Sequence, residues 1–152
     1  MRYNGNELAT RNIFKFAQIV FRHFLYLTEV KSADHSIESI YDRILSPQST
    51  IIFAMNNGSI IGYLIAEPTL HNMENLMHIY YLYVIPAFRN KGVATYLLTL
   101  IEKYANDIGI EILSLTYDTY NDKLTKFYNK NNFRFDDGMR SYQRYDMLVK
   151  RT

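Results

Sequence analysis

Apolar residues in the first third of the chain recur at helical spacing. Between about Asn12 and Leu27 they lie near a period of 3.6 residues, and polar residues occupy the other faces. A second helix is expected after Ser36, whose hydroxyl suits a capping position, and Pro47 is expected to stop it. This region therefore predicts two amphipathic helices, and it contains no clear first strand.

The pattern then changes to that of β-strands. Two apolar runs, Thr50–Met55 and Ser59–Ala66, flank an Asn-Gly pair, which a tight type I′ hairpin turn prefers. A polar loop is expected from Glu67 to Asn75. The next run, Met77–Ile85, is long, β-branched and aromatic, so it predicts a central strand.

Helical spacing returns in the second half of the chain. It predicts a helix from Gly92 to Ile108, a strand over Ile112–Tyr117, and a short helix over Asp122–Asn131 with Asn121 as its cap. The tail alternates weakly, as a closing strand or hairpin would. This order of elements predicts one domain, residues 1–152, of the α/β class with a mixed sheet.

Composition narrows the possible functions. The chain has 152 residues, of which 48% are hydrophobic and 21% charged, as in a globular domain. The net charge of +2 gives no electrostatic case for nucleic acid or an anionic membrane. There is no Cys, which excludes a thiol nucleophile, and no metal site is expected. The chain shows neither a membrane-spanning run nor a signal-peptide core, so we expect a cytoplasmic protein.

The segment Val84–Ala94 carries the clearest chemical signal. A predicted strand ends, a short basic turn follows, and a helix opens at Gly92. The first backbone N–H groups of a helix have no internal partners and lie at its positive end, so they bind phosphate readily. Gly92 lets a phosphate approach the backbone closely, and Arg89 and Lys91 add positive charge. The residue order fits neither a P-loop nor a dinucleotide-binding Gly-x-Gly-x-x-Gly.

Two motifs resemble the GNAT superfamily of N-acetyltransferases. The first is Val-x-Pro followed by Arg-x-x-Gly-x-Ala at Val84–Ala94, and the second is Asn121–Phe133, which is similar to the family's Asn-x-x-Ala-x-x-Phe-Tyr-x-Lys-x-Gly-Phe segment. Leu124 and Asn132 depart from that second pattern. The resemblance covers about Ser59 to Phe135, and it implies a GNAT-like, mostly antiparallel sheet flanked by helices.

The resemblance also implies an activity: direct transfer of acetyl from acetyl-CoA to an amine in a ternary complex. Tyr128 matches the tyrosine that hydrogen-bonds the departing sulfur, although the residues alone would allow a core tyrosine. The implied cofactor-binding residues are, on the strand, Leu82, Tyr83 and Val84; on the turn and helix, Arg89, Asn90, Lys91, Gly92, Val93, Ala94 and Thr95; and, in the second motif, Asn121.

A proton acceptor for the amine is less clearly marked. Many relatives carry Glu on the central strand where this chain has His78 and Tyr80, and strand periodicity places both on one face with Leu82 and Val84. His78 is the first candidate base, because imidazole titrates near neutral pH, and a packed histidine is its alternative reading. The fallback acceptors are water, Tyr80, Glu67, His71 and Glu74.

Other readings and partners remain open at this stage. A CoA-binding domain that senses or scaffolds without transfer is the main alternative, and a nucleic-acid-binding module is a weaker one. The acceptor is expected to be a small-molecule or peptide amine, with no membrane partner, and the chain is expected to be a monomer or homodimer. An aromatic wall for the amine is one possible role of Tyr80, Tyr81, Tyr83, Tyr117 and Tyr120.

Overall fold

Seven strands form one sheet in a computed structural model that describes residues 2–4, 10–29, 35–118, 120–135 and 145–152. In chain order the strands are β1 Arg2–Asn4, β2 Thr50–Asn56, β3 Ser59–His71, β4 Glu74–Val84, β5 Ile112–Asp118, β6 Arg134–Phe135 and β7 Tyr145–Arg151. The helices are α1 Thr10–His23, α2 Ile37–Leu45, α3 Val93–Asp107 and α4 Asp122–Lys130. The spatial order is β1-β2-β3-β4-β5-β7-β6, and among these described strands only β4 and β5 pair in parallel.

Two apolar layers cover the sheet. α1 and α2 pack on one face, against residues such as Ile51, Tyr63 and Ile65. α3 and α4 pack on the other, where Leu97 and Phe133 are fully buried. This arrangement confirms the predicted single-domain α/β class with a mostly antiparallel sheet flanked by helices. No helix in the described ranges is long and apolar enough to cross a bilayer.

Most predicted elements are present, and local chemistry explains their ends. Ser36 caps α2, because its hydroxyl accepts a hydrogen bond from the Ser39 N–H at 3.1 Å and the Ser39 hydroxyl accepts from the Ser36 N–H in return. Gly109 has a φ of +85° just beyond α3, as a left-handed C-terminal position requires. β1, which the sequence does not reveal, pairs with β2 at the sheet edge.

The predicted loop from Glu67 to Asn75 is wrong. β3 runs on to His71 and β4 starts at Glu74, so the two strands form one long hairpin. Asn72 and Met73 both have positive φ, 48° and 63°, which makes a two-residue turn without glycine. Polar residues hid the strands from sequence reasoning because this end of the hairpin extends beyond β2, whose pairing with β3 ends at Ala66.

An extra residue in β4 changes which side chains share a face. The register with β3 shifts so that Ile65 pairs with Tyr81 while Ala66 pairs with Ile79, which leaves Tyr80 as the bulged residue. The prediction that His78 and Tyr80 share a face with Leu82 and Val84 is therefore wrong. Tyr80 packs with the α1–α2 layer, together with Tyr81 and Tyr83, whereas Leu82 packs with the layer under α3.

Gly62 allows the close approach of β3 to the end of β4. A Cβ at this position would lie 2.9 Å from the Tyr83 carbonyl oxygen, which belongs to the backbone and cannot move aside easily. We expect Gly62→Ala to lower the free energy of unfolding by about 1–3 kcal/mol in urea titrations. Ser59→Ala, at an exposed position of the same strand, is the control and should change it by less than about 0.5 kcal/mol. Equal stability of both variants would contradict the tight packing described here.

Candidate active site where two parallel strands diverge

The centre of the sheet contains an opening between β4 and β5. The two strands pair only over Met77–Ile79 and Leu113–Leu115, although β4 continues to Val84 and β5 to Asp118. The bulge at Tyr80 lies where the pairing stops. Beyond it, the edge of β4 that faces β5 has no strand partner among the described residues, so its main-chain groups can pair with an extended ligand.

The loop from Ile85 to Gly92 connects this open edge to α3. Arg89 shapes the loop, because its Nε donates to the Val84 carbonyl oxygen at 2.8 Å and its guanidinium lies 5.2 Å from the centre of the Tyr83 ring. Asn90 and Gly92 have φ values of 61° and 84°. The sequence marks Arg89 as a charge near phosphate, and the structure shows that it also ties the loop to the strand end.

The first turn of α3 presents unpaired N–H groups. The first helical bond runs from the Tyr96 N–H to the Gly92 carbonyl at 3.0 Å, so the amides of Val93, Ala94 and Thr95 have no acceptor within the helix. No side chain caps Gly92, and a Cβ built there meets nothing within 4 Å. This open cradle of amides fits a diphosphate group.

Tyr128 lies on α4 with its ring in the apolar layer. It makes edge-on contacts with Tyr117 and Phe133, at centroid distances of 5.8 and 5.7 Å. Burial raises the pKa of its hydroxyl well above the usual value, and the nearby Tyr26 hydroxyl acts in the same direction. Tyr128 is therefore held as a protonated hydrogen-bond donor.

Asn121 caps the N-terminus of α4. Its Oδ1 accepts a hydrogen bond from the Leu124 N–H at 3.2 Å, which is the N-cap that the sequence predicts. This contact fixes the helix that carries Tyr128. A contact between Asn121 and a cofactor stays a prediction.

His78 lies beside the bulge as a partly buried ring. Its Nδ1 is hydrogen-bonded to the Ser114 hydroxyl at 2.7 Å, and its ring meets Tyr80 edge-on at 4.6 Å. Burial, followed by the charge of Arg43 and the proximity of His71, lowers its pKa to about 4. His78 is therefore neutral at pH 7, and its affinity for a proton is lower than that of an ordinary histidine.

The other acceptors named from the sequence are mostly engaged elsewhere. The Glu67 carboxylate binds Arg43 at 3.1 Å and accepts from the Ser46 hydroxyl at 3.0 Å. The Arg43 guanidinium also lies 3.4 Å from the Tyr80 ring centre. Glu74 pairs with Arg151 near the turn of the β3–β4 hairpin, away from the open end of β4, and His71 lies on the same turn.

The aromatic wall does not form as one surface. Tyr80, Tyr81 and Tyr83 face the α1–α2 layer, Tyr117 packs against Tyr128 on the opposite face, and Tyr120 is 75% exposed. The bulge and the face alternation of the strands separate these residues. Within the described residues no cluster of three or more metal-binding side chains occurs.

Two histidines join the tyrosines of the α1–α2 layer. His23 stacks on Tyr83 at 3.7 Å and shares a 2.9 Å hydrogen bond with the Tyr63 hydroxyl, while His35 shares one of 2.9 Å with the Tyr81 hydroxyl. Sequence reasoning missed both contacts, since neither histidine lies in a motif.

Comparison with known proteins agrees with this geometry. Residues 15–133 match the Acetyltransferase (GNAT) family. An uncharacterized N-acetyltransferase of Bacillus subtilis, YhfO, is 30% identical over 102 residues, which are 66% of this chain and 68% of the relative. The chain belongs to the GNAT family of acetyltransferases.

Solved acetyltransferase structures share the fold over most or all of this chain. The PaiA N-acetyltransferase of Thermoplasma acidophilum, solved in complex with coenzyme A, superposes with a TM-score of 0.68 at 17% identity, covering 100% of this chain and 98% of its own. An aminoglycoside acetyltransferase from an uncultured soil metagenomic sample, in complex with sisomicin, gives a TM-score of 0.63 at 20% identity, covering 86% and 84%.

The lowered pKa of His78 predicts a pH-dependent stability. As the pH falls below 6.5, the unfolded chain protonates this imidazole first, so folding loses up to about 3 kcal/mol between pH 6.5 and about 4. His78→Gln should remove most of that loss in urea titrations at several pH values. Part of the slope should survive, because burial also lowers the pKa of His23. Ser59→Ala, which removes no titratable group from an exposed position, is the control and should keep the wild-type slope. An unchanged slope in His78→Gln would contradict the assignment.

Proposed function

We propose that this GNAT protein transfers acetyl from acetyl-CoA to a primary amine by direct attack in a ternary complex. The observation that carries the proposal is the continuity of two binding elements: the unpaired edge of β4 leads through the Arg89 loop into the amide cradle of α3. The unpaired edge of β4 suits an extended amide-bearing arm, and the amide cradle of α3 suits a diphosphate. Acetyl-CoA has both parts in that order.

The binding roles follow from these groups. The amides of Asn90 to Thr95 hold the diphosphate, with Arg89 and Lys91 supplying charge beside it. The backbone of Leu82–Val84 pairs with the pantetheine arm as an added strand would. Asn121 fixes the start of α4 beside the same opening.

Tyr128 acts on the leaving group in this proposal. Acetyl-CoA supplies an activated acyl group on a thiol that leaves with an ordinary pKa near 8.5. Because burial raises the pKa of Tyr128, early proton transfer to sulfur is unfavourable. Tyr128 therefore stabilises the negative charge on sulfur by hydrogen bonding first and donates its proton late.

The amine has to lose a proton before it attacks, which costs about 4–5 kcal/mol at pH 7 for an alkyl amine of pKa 10.4. His78 is the candidate acceptor that the sequence proposes, and its neutral ring and its bond to Ser114 support that role. Its pKa of about 4 makes transfer from such an amine uphill by about 9 kcal/mol, so a water chain would have to pass the proton on to solvent.

The acceptor is a small-molecule or peptide amine in this proposal. The similarity to a solved aminoglycoside acetyltransferase supports an amine acceptor, but it does not distinguish a small molecule from a peptide. A CoA-binding sensor without transfer is the second candidate. It is favoured because His78 and Tyr80 stand where many relatives carry Glu, and because the fallback carboxylate Glu67 is paired with Arg43. Thiol release from acetyl-CoA across an amine and peptide panel separates the two, because a sensor binds CoA but releases no thiol.

Gly92 and Gly109 provide a matched test of the amide cradle. They lie at opposite ends of α3 with φ values of +84° and +85°, and a Cβ on either meets nothing within 4 Å. Ala at either position should cost about 1 kcal/mol of stability through backbone strain. Only Gly92→Ala should weaken CoA binding, by about tenfold in titration calorimetry, because its methyl group enters the cradle. Equal CoA affinity in both variants would remove the cradle from the binding site.

Tyr128→Phe tests the leaving-group role. It keeps the ring in the apolar layer and removes only the hydroxyl, so we expect kcat to fall by about 10²–10³-fold with CoA affinity retained. Tyr104→Phe, in the same apolar layer, is the control and should keep the wild-type kcat within about twofold. An undiminished kcat in Tyr128→Phe would show that this tyrosine is a core residue only.

A further inference from the structure

The end of α1 contacts the open part of β4 through a ring stack. His23 is the last residue of α1, and its imidazole lies flat on the Tyr83 ring, with the centroids 3.7 Å and the planes 9° apart. The His23 Nδ1 is 2.9 Å from the Tyr63 hydroxyl of β3, so two different groups hold the imidazole. Phe24, the next residue, meets the Tyr83 ring edge-on at 6.0 Å. These contacts fix the orientation of the Tyr83 side chain.

Tyr83 also contacts the loop that leads to α3. The Arg89 guanidinium lies 5.2 Å from the centre of the Tyr83 ring, within the range of a cation–π interaction. The Arg89 Nε donates to the carbonyl oxygen of Val84, the residue after Tyr83. Burial, followed by the charges of Arg22 and Arg89, lowers the pKa of His23, so the Arg89 charge lies close enough to act on the imidazole. The end of α1, the end of β4 and the Arg89 loop therefore meet around one tyrosine ring.

We propose that His23 is a positioning residue for CoA binding: it fixes the Tyr83 ring, and that ring fixes Arg89 beside the diphosphate. The inference rests on the proposed function, in which the Arg89 loop binds the diphosphate of CoA. His23 acts through Tyr83 and Arg89 and is not itself a ligand of CoA. An arginine side chain that is fixed before the ligand arrives loses less conformational entropy on binding, so the ring stack raises CoA affinity.

The competing explanation is that His23 only stabilises the packing of α1 on the sheet. Its hydrogen bond to the buried Tyr63 has that effect, because a buried hydroxyl needs a partner. The stack on Tyr83 is a separate contact, and it is directed at the residue that also contacts Arg89. Because the two contacts of His23 have different chemistry, they can be removed one at a time.

Three single variants separate the ring stack from the hydrogen bond. His23→Ala removes both contacts, His23→Phe keeps a flat ring over Tyr83 without the hydrogen bond, and Tyr63→Phe removes the hydrogen bond and keeps both rings. We expect His23→Ala to weaken CoA binding about fivefold in titration calorimetry. His23→Phe and Tyr63→Phe should keep the affinity within about twofold, although both should be less stable in urea titrations. Asn12→Ala, at an exposed position of α1, is the control and should keep the wild-type affinity.

A double-mutant cycle tests whether His23 acts through Arg89. Arg89→Ala alone should weaken CoA binding about tenfold, because it removes a charge beside the diphosphate. Adding His23→Ala to that variant should weaken binding by less than about twofold further, since the side chain that His23 fixes is already gone. A further fivefold loss in the double variant would make the two effects independent and would overturn the proposal.

The other outcomes are equally decisive. Weaker binding in His23→Ala together with wild-type affinity in His23→Phe supports the proposal. Wild-type affinity in His23→Ala overturns it, and so does an equal loss of affinity in His23→Phe or Tyr63→Phe. Tyr83→Leu, which removes the ring and keeps the strand backbone, should also weaken CoA binding about fivefold, and it decides the question should His23→Ala fail to fold. Failure of the wild type to bind CoA would instead refute the proposed CoA site, whereas equal affinity in all variants would leave that site intact.

Discussion

The bulge at Tyr80 is the constraint on which the rest of the site depends. One extra residue in β4 ends its pairing with β5 at Ile79 and turns Tyr80 and Tyr81 toward the same face. If β4 were regular, its backbone would continue the ladder with β5, and no extended ligand could pair with it. The opening therefore exists because the sheet gives up several main-chain hydrogen bonds at its centre, which a ligand can restore.

The two faces of the sheet carry different buried polar groups. The face under α3 and α4 carries Tyr128, and burial keeps this hydroxyl protonated. The opposite face carries Tyr81 and His35, which share a 2.9 Å hydrogen bond inside the buried α1–α2 layer. The Glu67 carboxylate on β3 forms an ion pair with Arg43 and accepts a hydrogen bond from the Ser46 hydroxyl.

Sequence reasoning found the parts of the fold that depend on local chemistry. The Ser36 and Asn121 caps, the left-handed Gly109 and the opening of α3 at Gly92 all depend on residues within a few positions of one another. The extended β3–β4 hairpin was missed because Asn72 and Met73 make a turn without the usual glycine. The bulge was missed because it depends on pairing between strands, and this error placed His78 on the wrong face. The His35–Tyr81 contact joins residues far apart in sequence, which no single-chain pattern marks.

Amide hydrogen exchange with and without coenzyme A tests the central claim most directly. The account predicts that CoA slows exchange at the unpaired edge of β4, within Tyr80–Val84, and at the first amides of α3, within Asn90–Thr95. Amides at the β3–β4 turn, around Asn72, should exchange at the same rate in both samples. Unchanged exchange at the β4 edge and the α3 cradle at saturating CoA would contradict the account.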